Sequence, residues 1–199
     1  MYCLDSKDEW AIIHPDDLWV YNKLIISIKL GHLCGPTGVP VPYEGDYIVR
    51  PMFNLLGMGR NARVEWIKDS TEHFHPSEFW SQIFYGQQLS VDFYQKRALL
   101  VVEGIKDQRD PLYKWKKWQK ISKNIKFPEI LDNLKGNYDW INCEFIGDKL
   151  IEVHFRQNPD FRYGNTVAIP VWDQKITEHE QNYTYILDED YHRKGFYID

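Results

Sequence analysis

Cysteine is scarce. The 199-residue chain has three, Cys3, Cys34 and Cys143, odd in number and far apart, which excludes a disulfide framework and any CxxC zinc site and points to a reducing compartment. Long apolar runs are also missing: nothing approaches the ~20 residues a membrane span needs. The first ten residues carry Asp5, Asp8 and Glu9 where a secretory leader needs a basic flank and an apolar stretch, so a cytoplasmic protein is expected. There is no excess of positive charge. A formal net charge of −5 argues against wholesale wrapping of nucleic acid, which needs a positive surface. Internal repeats, low-complexity tracts and linkers are absent, and the length is too short for two independent average-sized domains, so residues 1–199 read as one unit.

Aromatic residues are plentiful at 16%, with eight Trp and thirteen Tyr, and are read first as core and only second as a ligand wall. Acidic Asp16 and Asp17, apolar Leu18, Tyr21, Ile25 and Ile28, and a stop at Gly31 predict one helix over residues 16–31. The Pro- and Gly-rich residues 35–42 predict an extended loop leading into a buried strand over 47–51, with a glycine hairpin returning as a strand over 63–67. Residues 88–94 and 98–104 read as strands about a turn, as do 140–146 and 150–155 about Gly147-Asp148, with short strands over 166–172 and 183–187. A short helix is expected over 127–134. The fold class is therefore α/β (α+β), with antiparallel sheet at its centre.

Glu144 and Glu152 stand on opposite arms of the Gly147-Asp148 hairpin, where carboxylates sharing a face can converge on one cation. His154 and Arg156 have the parity of Glu152, so the three form a polar face on an otherwise apolar strand. For a lone alternating strand, plain solvent exposure is the preferred explanation.

The run from Glu144 through Gly147-Asp148 to Glu152, His154 and Arg156 resembles the metal-binding end of the ATP-grasp superfamily, in which an acid precedes a hairpin and Glu-x-Asn follows it. That resemblance implies metal ligation by Glu144 and Glu152, with His154 at the Asn position, where a nitrogen donor suits Mn2+ better than Mg2+. Asn22-Lys23-Leu24 resembles the opening helix whose Lys reaches nucleotide phosphates. Arg50 stands for the usual phosphate-binding Lys of a Lys-Pro strand, and Gly57-Met58-Gly59 resembles the flap over the phosphates. Gln82, Phe84 and Gln88 fall in the segment that resembles the interlobe hinge holding adenine and ribose. The implied architecture is two small lobes, about 16–84 and about 85–199, with antiparallel sheets and ATP between them.

The implied activity is an ATP-dependent carboxylate–amine ligase acting through an acyl phosphate, with ATP and Mg2+ (or Mn2+) as cofactors. Arg50, His154 and Arg156 are its catalytic candidates, Arg156 meeting charge on the transferred phosphoryl. About twenty residues precede Lys23, where the superfamily has a complete substrate domain, so a protein partner is implied as one source of that part. The alternative is a non-catalytic nucleotide-binding or regulatory module on the same scaffold. The basic, aromatic run over 114–120 is read as a solvated face with two Trp packed inward, in preference to a nucleic-acid or anionic-substrate contact.

Overall fold

The structure is a computed structural model that describes residues 13–53, 59, 61–107, 110–172, 182–188 and 193–199. Two antiparallel sheets dominate it. The smaller has strands β1 (Cys34–Pro36), β2 (Gly45–Pro51), β3 (Arg63–Ile67) and β4 (Glu78–Ser81) in the order β1-β4-β2-β3. The larger has β5 (Gln88–Tyr94), β6 (Arg97–Ile105), β7 (Lys117–Lys120), β8 (Trp140–Ile146), β9 (Lys149–His154), β10 (Val167–Val171), β11 (Thr184–Leu187) and β12 (Gly195–Ile198) in the order β11-β12-β10-β7-β6-β5-β8-β9. No helix among the described residues is long and apolar enough to cross a membrane.

Alternation along β5 and β8 gives the larger sheet two unlike faces there. Leu89, Val91, Phe93, Ile141, Cys143, Phe145, Leu150 and Val153 are buried in one apolar core. Ser90, Asp92, Asn142 and Glu144 occupy the intervening positions on β5 and β8, and register sets Ser90 beside Glu144 and Asp92 beside Asn142. The smaller sheet has its own core of Tyr47, Val49, Ile67, Phe74 and Trp80.

The helix expected over 16–31 is broken in the middle. A 3-10 turn covers Pro15–Tyr21, then α1 covers only Lys23–Lys29. Asn22 between them is extended (φ −92°, ψ 101°), and its side-chain oxygen accepts from the backbone N–H groups of Leu24 and Ile25 at 3.0 and 3.2 Å. It is an N-cap where continuous periodicity predicted an interior residue. Lys23 N–H donates instead to Met52 O at 2.9 Å, tying the start of α1 to the end of β2. The buried face also differs from the expected one: Val20, Leu24 and Ile26 are buried, whereas Leu18 and Ile28 are 40% and 58% exposed. Together the turn and α1 pack against β9, the edge strand of the larger sheet, and shield it. Gly31, at φ +69°, ends the segment as expected.

Other expectations hold with small changes. Gln95 and Lys96, at φ +47° and +67°, make the tight β5–β6 turn. Gly35 and Pro36, at the start of the expected loop, join Cys34 in β1 because β4 offers them a partner (Gly35 opposite Trp80). The helix expected over 127–134 shrinks to one 3-10 turn at Glu129–Leu131, and the run over 114–120 contributes β7 rather than a helix or loop. β12 was not anticipated.

Candidate functional site

A cavity of about 830 Å³ lies between the two sheets. β2 brings Arg50 to it, α1 brings Lys23, β5 brings Gln88 and Ser90, β8 brings Asn142 and Glu144, and β9 brings His154. Gly59, Phe84 and Arg156 also line it. Of the residues singled out in the sequence, Lys23, Arg50, Gly59, Phe84, Gln88, Glu144, His154 and Arg156 therefore share one space. Glu152 joins them through its contacts with Lys23 and His154. Gln82 is not on the wall; its backbone N–H donates to Leu33 O at 2.9 Å. Gly57 and Met58 lie outside the described residues.

The Gly147-Asp148 hairpin explains how the acids meet. Gly147 takes φ +63°, and its N–H donates to Gln87 O at 2.8 Å. Glu144 pairs directly with Glu152, but the next pair is Phe145 with Leu150, which leaves Ile151 as an extra residue in a β-bulge. Leu150 packs in the core, whereas Ile151, read from the sequence as a simple alternate of Glu152, lines the cavity. Beyond the bulge Val153 returns to the core, His154 lines the cavity, and Glu152 stands on the same side against His154.

The Glu152 side chain is 10% exposed, and its Oε1 lies 3.2 Å from Lys23 Nζ and 3.2 Å from His154 Nε2. Gln88 Nε2 donates to Glu144 Oε2 at 3.3 Å. Burial, then the neighbouring Glu152 carboxylate, pushes Glu144 up to about 7. Burial acts in the same direction on Glu152, but the Lys23 ammonium, the His154 hydrogen bond and Arg50 outweigh it and hold Glu152 well below the usual carboxylate range. Burial lowers the pKa of Arg50, and both glutamates oppose that shift. Split acidities at adjacent carboxyls, with cations around them, are a functional-site pattern.

One ligand atom each from Glu144, Glu152 and His154 can be chosen so that all lie within 4.8 Å of one another. Two carboxylates and an imidazole form a donor set a divalent ion can use, and such an ion would relieve the repulsion between the acids. The residues fit a metal.

Sequence reasoning missed the support beneath this cluster. Asn142 Nδ2 donates to Ser90 Oγ and Asp92 Oδ1, both at 2.8 Å. Asn158 donates through its backbone N–H to Asp92 at 2.9 and 3.0 Å and through Nδ2 to Ser90 at 3.0 Å. Burial pushes Asp92 up to about 6 against those hydrogen bonds. The polar parity of Ser90, Asp92, Asn142 and Glu144 was the available signal. Trp115 and Trp118 also line the cavity, turned inward as expected, while Lys116 and Lys120 are exposed.

The fold superposes on a protein assigned to the ATP-grasp superfamily from Archaeoglobus fulgidus with a TM-score of 0.51, at 13% identity, over 90% of this chain and 64% of that one. This chain thus spans just under two thirds of that protein's length. The L-amino acid ligase from Bacillus licheniformis superposes less closely, with a TM-score of 0.45 and 12% identity over 71% of this chain and 41% of that one. For the ATP-grasp ligase PsnB bound to a minimal precursor the values are 0.43, 12%, 74% and 55%. No family model and no curated protein matches the sequence.

Proposed function

From the ATP-grasp fold that this chain has, we propose that it binds ATP with a divalent cation in the cleft between its sheets and acts as a carboxylate–amine ligase. The observation that carries this reading is the meeting of Lys23 and Arg50, from two different elements, with Glu144 and His154 around one cavity, and with Glu152 against Lys23 and His154. Glu144, Glu152 and His154 would hold the metal, whose role is to neutralise phosphate charge. Arg50 and Lys23 supply fixed positive charge for phosphate oxygens. The apolar part of the wall, with Ile48, Ile83, Phe84 and Ile146, suits a planar base.

In the reaction, a substrate carboxylate oxygen bonds to the γ-phosphorus of ATP and the bond from that phosphorus to the β–γ bridging oxygen breaks, releasing ADP. An amine nitrogen then bonds to the acyl carbon, inorganic phosphate departs, and the amine gives up a proton to solvent. The protein's part is alignment, charge neutralisation and exclusion of water, with Arg156 facing the phosphoryl in transfer. The carboxylate and amine, and any protein partner that completes their binding, belong to this proposal.

A second reading, a nucleotide-binding module without turnover, is favoured by one observation: Lys23 already occupies the Glu152 oxygen that a metal would take. Calorimetric titration with ATP plus Mg2+ or Mn2+, comparing the wild type with a Glu144→Gln/Glu152→Gln double variant, tests both. Metal-dependent ATP binding that the double variant loses is expected. Binding the double variant retains favours the module, and no binding with either metal sinks both readings.

A further inference from the structure

His154 is the feature in which this cluster is chemically unusual. Its side chain is 3% exposed, packed edge-on against the Tyr21 ring at 6.4 Å, and sits two residues beyond Glu152 on the face that the β-bulge turns to the cavity. The imidazole is fixed within reach of both carboxylates. The Glu152 Oε1 beside it is also 3.2 Å from the buried Lys23 ammonium, so a dication ligating that oxygen must displace or share with a cation already there.

Mg2+ is poorly equipped for that exchange. It dehydrates reluctantly, demands near-ideal octahedral oxygen geometry, and gains little from a nitrogen donor. A first-row transition ion gains from imidazole and accepts mixed nitrogen and oxygen sets.

We infer that the Glu144–Glu152–His154 cluster selects a first-row transition-metal ion, with Mn2+ and Zn2+ as its representatives, over Mg2+, and that His154 sets the preference. The inference rests on the metal-site part of the ligase reading. It does not depend on turnover.

Sites with mixed donors favour the later divalent ions in general, so the decisive quantity is how the Mn2+/Mg2+ affinity ratio changes when the nitrogen is removed. The experiment uses the full chain, with and without a non-hydrolysable ATP analogue. Mn2+ binding is followed by the electron paramagnetic resonance of the free ion, and Mg2+ and Zn2+ binding by calorimetry. In wild type, Mn2+ and Zn2+ should bind at least roughly tenfold more tightly than Mg2+, and His154→Asn should shrink the Mn2+/Mg2+ ratio by about tenfold by weakening Mn2+ while leaving Mg2+ unchanged or tighter. Glu144→Gln should weaken all three ions.

Pulsed resonance on Mn2+-loaded wild type gives a reading independent of any variant's folding. Coupling to an imidazole nitrogen supports the assignment, and its absence overturns it. A ratio unchanged in His154→Asn, or wild-type Mg2+ binding as tight as Mn2+, overturns the selectivity while leaving the ATP site standing. Failure of every ion to bind overturns both the selectivity and the metal site.

Discussion

Asp17 is a buried side chain whose loss should be costly to the fold. It is 1% exposed, and its carboxylate accepts from Lys135 N–H at 3.0 and 2.9 Å, from Gly136 N–H at 2.7 Å and from the Tyr138 hydroxyl at 2.9 Å. The clamp fastens the turn ahead of α1 to the segment leading into β8, and so fixes Lys23 relative to Glu144. A hydrogen bond to a charged group is worth ~1.5–3 kcal/mol, but three donors on one carboxylate do not add in full. Asp17→Asn keeps one acceptor oxygen and turns an NH2 group toward at least one backbone donor. A loss of about 2–4 kcal/mol at pH 7 follows, or roughly 4–16 °C in Tm at the ~2–4 °C per kcal/mol expected for a chain of this size.

The pH dependence has a definite sign. Burial raises the Asp17 pKa, but the hydrogen bonds from Gly136, Lys135 and Tyr138 prevail and lower it below 3.8. Its contribution is therefore complete above the unfolded value and is lost as pH falls through the folded one. Urea denaturation followed by circular dichroism from pH 7 to pH 3 should show the gap between wild type and Asp17→Asn closing toward the acid end. A gap under about 0.5 kcal/mol at pH 7, within the range of an ordinary surface substitution, or one that widens in acid, would refute the clamp.

Two further outcomes are expected. Gly86 has φ +137°, and a Cβ there would come within 2.8 Å of Gly147 Cα, so Gly86→Ala should cost about 1–3 kcal/mol, read by thermal melting, and should weaken ATP binding by shifting the β8–β9 hairpin. Arg193 is 3% exposed in its side chain and pairs bidentately with Asp160 at 2.7 and 2.6 Å and with Asp188 at 2.6 Å; Arg193→Met leaves two nearly buried carboxylates without their cation and should cost about 3–5 kcal/mol in urea melts.

What could be read from the sequence was what local chemistry controls. Gly147-Asp148 between two alternating runs specifies a hairpin, and the hairpin brings Glu144 and Glu152 together. The bulge at Ile151 could not be read, because an extra residue in one strand leaves the alternation of Leu150, Glu152 and His154 looking ordinary. The break at Asn22 was hidden for a different reason. Helical spacing continues across it, and only the long-range bond from Lys23 N–H to Met52 O shows why the chain turns there. In the Ser90–Asp92–Asn142–Asn158 network, parity marks Ser90, Asp92 and Asn142 as polar-face positions on their own strands, but which strands pair, and that Asn158 reaches them, is set by long-range contacts that spacing along the chain does not carry. β1 and β12 likewise depend on partners that long-range pairing supplies.

These elements together determine the charge state of the cleft. The cations around the Glu144–Glu152 pair come from separate places: Lys23 from α1, Arg50 from the smaller sheet and Arg156 from the chain just beyond β9. Against them stand Glu152, held ionised, and Glu144, which at about 7 is only partly so near neutral pH. At that cluster three cationic side chains meet two carboxyls, a local excess of positive charge in a protein whose overall charge is −5. On the proposed reading such a cluster would attract a polyphosphate before any metal enters, since a low-dielectric cleft focuses the field of its own charges. On the proposed reading, arrival of the anion would draw Lys23 and Arg50 toward phosphate oxygens, and Glu152, with less cation beside it, would become the stronger metal ligand. Nucleotide and metal should therefore bind with positive coupling, each tighter in the presence of the other by the same factor.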